Sequence, residues 1–417
     1  MERPDVRGRR VLITGVSGFV GPYLAKALVS GGARVYGLVR NRADRTLSRG
    51  LVDHDLADAV EFIDAGLEDF YGLLRGIERA APEVVFHLAA QSFVGASFAN
   101  PLPYAHANGL GTAYLLEAIR MRAPEATVVF AGSSEEYGLV FASEAQYGEA
   151  QRKYGAIFPA PQRLPELPVA ETNPLRPMSP YASSKVYGDY LTRNYAHSFG
   201  LKAIVSRAFN HEGGGRGIAF VTSQIVHQVV RLSLGEGDGI RLGNVNVFRD
   251  WSHVEDIVGG YLLVAAGGRR GDVYNLGSRR TNSVLTYLLL ALEETGYRAR
   301  RLATVKGDKV VEDPGAERIL GFFGAEFPGT RIDELLLRGE VAFDPSDEGL
   351  IIDTDRGKVS VTFDRDRFRP SDVPILLCDP AKAEAALGFG ARRSLRDVVR
   401  DQVDYFVSPR NRGGFLG

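Results

Sequence analysis

Residues Thr14–Gly21 read TGVSGFVG and follow directly on the apolar run Val11–Ile13. Such G-x-x-G-x-x-G patterns also occur in ordinary turns, but this one lies between a predicted strand and a predicted helix. Pro22 opens that helix, where proline is tolerated in the first turn. Glycines let the backbone turn tightly and approach a pyrophosphate, whose charge the helix N-terminus favours. The stretch therefore predicts a dinucleotide-binding strand–turn–helix.

Outward from this turn, short apolar runs alternate with longer amphipathic segments over the first 210 residues. The predicted strands are Val11–Thr14, Arg34–Val39, Val84–Leu88, Val128–Ala131 and Ala203–Ser206, and the predicted helices are Pro22–Ser30, Pro101–Arg122 and Tyr181–Phe199. Strands that alternate with helices indicate a parallel sheet covered on both faces. We predict an α/β fold: a Rossmann-type doubly wound parallel sheet with a smaller α/β substrate-binding lobe.

Composition limits the function classes. The chain has 417 residues, more than a typical domain of about 100–200, and Lys plus Arg (50) balance Asp plus Glu (51). That balance gives no support to a nucleic-acid or membrane partner. The one cysteine, Cys378, cannot form an internal disulfide, and we predict no metal site. We find neither a secretory signal nor a membrane helix, so we expect a cytoplasmic protein.

Residues near the end of the second predicted strand bear on cofactor choice. An NAD site would place an acidic residue there, whereas this chain has Arg40, Asn41 and Arg42. Arginines suit the 2′-phosphate of NADP, although solvated loop charges would leave the same pattern. Asp64, after the strand-like Val60–Ile63, is a candidate acceptor for the adenine amino group or a surface aspartate. We predict NADP rather than NAD.

Tyr181 and Lys185 form a Y-x-x-x-K pair at the start of a predicted helix. Residues four apart share a helix face, so both side chains can point at one site; a surface pair is the simpler alternative. An ammonium beside a phenol lowers the phenol pKa from about 10 toward neutrality. The pair would then act as a general acid/base on a sugar hydroxyl while hydride leaves the carbon.

The strand Val128–Ala131 is followed by Gly132–Gly138, which reads GSSEEYG. Ligands bind beyond the carboxyl ends of strands in a doubly wound sheet, so Ser133 and Glu135 should face the cofactor. Ser133 could bond the reacting hydroxyl, and Glu135 could act as a second acid/base. A turn serine and a solvent-facing acid are the alternatives.

At this point the chain resembles the extended short-chain dehydrogenase/reductases, the NAD-dependent epimerase/dehydratase family. The motifs that carry the resemblance are the glycine turn, LAAQS (88–92), the serine strand and YASSK (181–185). Four stretches look more narrowly like GDP-mannose 4,6-dehydratases: 85–101, 207–225, 242–258 and 368–389. The resemblance covers about 8–302 and 367–405.

The resemblance implies catalytic roles for Ser133, Glu135, Tyr181 and Lys185. It also implies two groups of binding residues: Gly15, Gly18, Phe19, Val20, Gly21, Leu88, Ala89, Ala90, Tyr181 and Lys185 for the cofactor, and Ser92, Ser134, Asn210, Arg216, Arg249 and Arg369 for the nucleotide sugar. Bidentate guanidinium–phosphate contacts suit Arg249 and Arg369. Arg249 could instead pair with Asp250 or Asp256. Family assemblies suggest a homodimer or homotetramer.

The implied domains are a cofactor domain (1–209, about 243–276 and 375–400) and a nucleotide-sugar domain (about 210–242, 277–374 and 401–417). The chain departs from the family in three ways. Serine replaces the usual threonine at 133, extra sequence spans Phe141–Pro168, and the segment near 305–366 has no counterpart. That segment is a candidate lid or oligomer contact, and a surface elaboration is our default expectation.

The expected activity is a nucleotide-sugar 4,6-dehydratase, with GDP-mannose as the leading substrate. A nucleotide-sugar 4-epimerase and a 4-ketosugar reductase remain alternatives within the superfamily. A 4-epimerase needs no base at C5, so Glu135 would have no catalytic role in it. A non-catalytic NADP-sensing scaffold is an alternative from another class, and it gives the Ser/Tyr/Lys set no task.

Overall fold

The computed structural model describes residues 4–40 and 46–412. Numbered in chain order within these ranges, the strands are β1 (Arg10–Thr14), β2 (Arg34–Val39), β3 (Val60–Asp64), β4 (Val84–His87), β5 (Thr127–Ser133), β6 (Lys202–Ala208), β7 (Asn210–Glu212), β8 (Ile240–Leu242), β9 (Phe248–Arg249), β10 (Trp251–His253), β11 (Val273–Leu276), β12 (Asn282–Ser283), β13 (Ala299–Thr304), β14 (Val310–Glu312), β15 (Glu317–Phe322), β16 (Ala325–Thr330), β17 (Gly349–Thr354) and β18 (Gly357–Phe363).

The α-helices of the same ranges are α1 (Val20–Ser30), α2 (Arg49–Asp53), α3 (Phe70–Ala80), α4 (Val94–Ala99), α5 (Pro101–Tyr104), α6 (Gly111–Arg122), α7 (Glu144–Tyr154), α8 (Pro180–Ser198), α9 (Val221–Ser233), α10 (Val254–Gly267), α11 (Val284–Glu294), α12 (Arg331–Leu337), α13 (Ala381–Leu387), α14 (Leu395–Val407) and α15 (Pro409–Arg412). A π-helical turn spans Ala105–Leu110, and 3₁₀ turns span Ser134–Glu136, Pro345–Asp347 and Arg365–Arg367. None of the helices within the described ranges is long and apolar enough to cross a membrane.

A seven-stranded parallel sheet forms the first lobe, with strand order β11-β6-β5-β4-β1-β2-β3. Its central strands are buried on both faces; Val11, Leu12 and Ile13 of β1 are at most 1% exposed. The carboxyl ends of β1, β4 and β5 meet at one edge because the strands run in the same direction. The predicted doubly wound sheet is confirmed, and so are the five strands named from the sequence.

One predicted helix differs from the structure. The stretch Pro101–Arg122 divides into α5, the π-helical turn and α6. Asn108 lies in that turn, and its side-chain amide donates to the carbonyl of Gln91 and to Ser184 Oγ. A local π turn of this kind is often found at functional sites. It depends on contacts between distant segments, which helical periodicity does not reveal.

A second lobe is built around a five-stranded sheet in the order β14-β13-β17-β18-β8. Helices α9, α11 and α14 pack against one another and share its hydrophobic core, which includes Ile225, Leu285 and Val399. The predicted domain boundary near residue 400 falls inside α14. Leu395, Val398 and Val399 of that helix lie in the second-lobe core, so the chain enters this lobe before residue 400.

The segment 305–366 belongs to this core. It supplies β14, β17 and β18, which pair with β13 and β8, and it contributes Ile332, Phe343, Ile352 and Val361 to the buried cluster. The expectation of a surface elaboration is therefore wrong. Its alternating stretches bury one face of each strand, which is how a sheet over a core is built.

Candidate active site

The glycine turn packs directly against the end of β4. Gly15 has φ +74°, and a Cβ on it would lie 2.7 Å from the backbone nitrogen of Ala89. A Cβ on Gly21 would lie 2.4 Å from the carbonyl oxygen of Gly15. Any larger residue would therefore push β1, α1 and β4 apart. The glycines allow α1 to begin at the sheet edge, where a phosphate would meet its N-terminus.

A cleft of about 900 Å³ opens beside this turn. Six predicted cofactor residues line it: Gly15, Gly18, Arg40, Asp64, Ala89 and Ala90. Both Arg40 and Asp64 are exposed on its wall. Asn41 and Arg42 lie outside the described residues. The wall of the cleft thus combines the backbone of the glycine turn with an exposed arginine.

Three further cofactor predictions lie beside this cleft. Phe19 stacks on His211 at 6.5 Å between ring centroids. Val20 and Leu88 are partly buried against the core of the first lobe. These positions support the glycine turn from behind, and Phe19 connects it to the second lobe.

Ser133, Tyr181 and Lys185 converge at the end of β5. The Ser133 hydroxyl lies close enough to the Tyr181 phenol to lower its pKa, and Lys185 Nζ donates to the carbonyl of Ala131 at 2.8 Å. All three residues are buried. Helix α8 makes this possible because Ser179 caps its N-terminus and Pro180 opens it, which fixes where Tyr181 starts the first turn.

The pKa of Tyr181 differs from the expectation. Burial raises the pKa of Tyr181 to about 12, and the Ser133 hydroxyl opposes this only in part. Burial also lowers the pKa of Lys185 to about 8, and its ammonium is directed at a backbone carbonyl. The predicted lowering of the Tyr181 pKa is therefore wrong for the protein groups alone, because desolvation by burial dominates.

Glu135 lies on the same turn as Ser133. Its backbone N–H donates to Ser133 Oγ at 3.2 Å, and its side chain is half-buried. The Glu135 carboxylate is close enough to raise the pKa of Tyr181. A carboxylate and a phenol thus lie close together, as an acid/base pair would require.

Asn210 and Arg216 lie where the two lobes meet. Asn210 Oδ1 is buried, and no hydrogen bond reaches it from the described part of the chain. The Arg216 guanidinium lies 3.6 Å from the ring centroid of Phe220 and 5.0 Å from that of Phe19. Arg216 also lowers the pKa of Tyr181. Arg216 therefore lies near Tyr181, and Asn210 offers an unused acceptor atom to a polar ligand.

Arg249 and Arg369 share a carboxylate that sequence analysis missed. Arg249 Nη2 lies 3.2 Å from Asp372 Oδ1, and Arg369 Nη1 lies 3.8 Å from the same atom. Arg249 Nη1 donates to the carbonyls of Phe248 and Val373. Neither Asp250 nor Asp256 is its partner, since these accept from Ser278 and Arg393.

The remaining predicted substrate residues differ in exposure. Ser92 is exposed, whereas Ser134 is buried in the 3₁₀ turn after β5. Within 4–40 and 46–412 no group of three or more His, Cys, Asp or Glu side chains is arranged to hold a metal ion. A buried neighbour, Glu136, was not singled out from the sequence, although the doubled acid in GSSEEYG was its visible signal.

Comparison with known proteins agrees with this arrangement. A profile of the NAD dependent epimerase/dehydratase family matches residues 11–277. A GDP-mannose 4,6-dehydratase of Sinorhizobium fredii (strain HH103) is 31% identical over 409 residues, which cover 96% of this chain and 98% of the relative.

Two solved structures share the fold. The structure of RMD from Pseudomonas aeruginosa complexed with NADPH has a TM-score of 0.65 at 21% identity, covering 96% of this chain and 99% of that one. The UDP-glucose 4-epimerase of Thermus thermophilus in complex with NAD has a TM-score of 0.66 at 22% identity, covering 95% and 98%. By its sequence match and its site, the chain belongs to the NAD dependent epimerase/dehydratase family.

Proposed function

We propose that the protein is an NADP-dependent nucleotide-sugar 4,6-dehydratase that converts GDP-mannose to GDP-4-keto-6-deoxymannose. The observation that carries the proposal is the placement of Glu135 beside the Ser133–Tyr181 pair at the end of β5. A sugar dehydratase needs a base at C5 in addition to the acid/base at the 4-hydroxyl. The 31% identical relative with that activity supports the same substrate.

The cleft fits a dinucleotide. Its glycine cradle has no room for a Cβ at Gly15, and its wall includes both Gly18 and Arg40, which suit the phosphates of a dinucleotide. When bound, a nicotinamide supplies one hydride acceptor and donor, and its oxidised ring brings a positive charge. Tyr181 and Lys185 would hold its ribose end at the turn after β5.

Protons move through this chain's own side chains. With the cofactor bound, the positive charge of its oxidised ring would oppose the burial that raises the pKa of Tyr181, and the ionised phenol beside Ser133 would take the proton of the 4-hydroxyl as C4 becomes a ketone. The ketone acidifies the C5 proton, which Glu135 removes. The protonated Glu135 gives that proton to the departing 6-hydroxyl, which leaves as water and forms an enone. Hydride delivered to C6 then leaves a carbanion at C5, which takes the proton that Tyr181 had received from the 4-hydroxyl.

The nucleotide diphosphate would lie between the lobes. Asn210 offers a buried carbonyl oxygen that receives no hydrogen bond from a donor in the described ranges, and Arg216 lies close enough to Tyr181 to lower its pKa. Arg249 and Arg369 already gather around one carboxylate, that of Asp372. A site that draws two guanidinium groups to one anion also suits a phosphate.

The choice of NADP rests on Arg40, which is exposed on the cleft wall. Related structures hold NADPH in one case and NAD in another, so Arg40 is our reason for choosing NADP over NAD. We also propose a homodimer or homotetramer in the cytoplasm. Exposed apolar residues on neighbouring helices support self-association: Leu110, Tyr114, Met121, Tyr187 and Tyr190. A monomer mass by light scattering would contradict it.

The test is a substrate panel. The purified protein is incubated with GDP-mannose, UDP-glucose, UDP-galactose and UDP-glucuronate, with catalytic NADP or NAD, and the products are read by mass spectrometry and NMR. We expect loss of one water from GDP-mannose with NADP. An unchanged mass with inverted configuration at C4 would mean a 4-epimerase instead. Stoichiometric consumption of NADPH would mean a reductase.

A further inference from the structure

Two buried carboxyl groups lie beneath the turn that carries Ser133. Glu136 follows Glu135 in the chain, and Asp189 lies further along α8 than Tyr181; both are 0% exposed. Arg207 Nε lies 3.3 Å from Glu136 Oε2 and 2.9 Å from Asp189 Oδ2, so the two carboxyl groups meet at one nitrogen and lie close enough for a hydrogen bond between them. Ionised carboxylates offer only acceptor atoms. A contact of this kind therefore needs one proton between the two groups.

Asp189 is the better placed of the two to be ionised. Its Oδ1 accepts from Arg193 Nε at 2.6 Å, and its Oδ2 accepts from Arg207 Nε at 2.9 Å. Each oxygen thus has a charge-assisted hydrogen bond, the kind that stabilises a carboxylate most. Two guanidinium groups surround this single side chain.

Glu136 lacks such support. Its Oε1 accepts from the backbone N–H of Ser133 at 2.7 Å. Its Oε2 is buried and receives no hydrogen bond from any donor in the described ranges. Arg207 Nε lies 3.3 Å from Oε2, but the hydrogen of that nitrogen is directed at Asp189. Oε2 is therefore the atom that can carry a proton and donate it to Asp189.

We propose that Glu136 is a positioning residue that carries a proton at neutral pH, donates it to ionised Asp189, and holds the backbone of Ser133 with its other oxygen. The effect of Glu136 on the reaction rate rests on the proposed function, whereas its protonation at neutral pH does not. The two adjacent residues then have different roles: Glu135 faces the substrate, and Glu136 holds the backbone of Ser133 in place.

The charge state of Glu136 bears on the catalytic pair. The groups that face it are Asp189 and Lys185 and Tyr181 of α8, Arg207 of β6 and the adjacent Tyr137. Burial and Asp189 raise the pKa of Glu136 to about 8, against the opposing effect of Arg207. An ionised Glu136 would raise the pKa values of Tyr181 and Lys185. The neutral acid keeps Tyr181 easier to deprotonate.

The test compares two matched amide substitutions. Glu136→Gln keeps a neutral group that can accept from Ser133 and donate to Asp189. Asp189→Asn removes the charge that Arg193 and Arg207 need. We expect Glu136→Gln to unfold within about 1 °C of the parent and Asp189→Asn to unfold at least about 5 °C lower. An equal fall in unfolding temperature for both variants would mean that Glu136 is ionised, and would overturn the proposal.

Two further measurements test the protonation of Glu136 and its effect on activity separately. The infrared difference between the parent and Glu136→Gln at pH 7 should contain the band of a protonated carboxyl, and its absence would overturn the proposal. The kcat of the parent should fall above about pH 8, while Glu136→Gln keeps its rate to higher pH; identical profiles would overturn the effect on rate. If the protein had no dehydratase activity, the proposed function would be refuted. The infrared band would still test whether Glu136 is protonated.

Discussion

Replacing Ile352 by alanine tests whether the segment 305–366 is part of the core. Ile352 lies in β17, is 0% exposed, and is paired with Leu302 of β13 and Val359 of β18. The substitution removes three buried carbon atoms, worth about 0.8 kcal/mol each. The cavity left behind adds to this transfer cost, so we expect a loss of about 3–4 kcal/mol in the free energy of unfolding.

Thermal unfolding followed by circular dichroism measures the loss. For a chain of this size, we expect the midpoint to fall by about 3–5 °C. Ile319→Ala is the matched control, because Ile319 belongs to the same segment but is 72% exposed in β15; its midpoint should stay within about 1 °C. Equal midpoints for the two variants would refute the assignment of the segment to the core.

Three further predictions concern the site. Glu135→Gln should slow water loss by about 10²–10⁴-fold while oxidation at C4 still reduces the cofactor, measured by nicotinamide absorbance; normal dehydration would remove Glu135 from the role of base. Arg40→Ala should raise the KM for NADP about 10-fold more than the KM for NAD, since a charge-assisted hydrogen bond is lost; an equal change for both would contradict NADP recognition. Burial lowers the pKa of His87 to about 3, so the unfolded chain takes up a proton near pH 6.5 before the folded protein does. The free energy of unfolding should therefore fall as the pH drops from 6.5 toward 3, and His87→Gln should weaken that pH dependence. The free energy is measured by urea unfolding at each pH, and the same pH dependence in parent and variant would contradict the prediction.

Much of the first lobe follows from local sequence. Strands such as Val11–Thr14 are short apolar runs bounded by turn residues, and they form the buried parallel sheet that this pattern predicts. The glycine turn and the Y-x-x-x-K pair are likewise visible because their spacing alone places Tyr181 and Lys185 on one helix face. These features depend on neighbours within a few residues.

Other features depend on contacts between distant residues. The π turn around Asn108 depends on Gln91 and Ser184, and the partner of Arg249 is Asp372 rather than a neighbouring acid. The raised pKa of Tyr181 comes from burial, which a motif does not report. Packing of this kind is set by the whole fold, so periodicity and spacing could not have predicted it.

The fate of the hydrogen at C4 distinguishes a 4,6-dehydratase from a 4-epimerase. GDP-mannose carrying deuterium at C4 is incubated with the protein and catalytic NADP, and the product is read by mass spectrometry and NMR. We expect a product lighter by one water with the deuterium at C6, because hydride taken from C4 returns at C6 within the same site. Deuterium found again at C4 of a product that has lost no water would contradict it and indicate an epimerase.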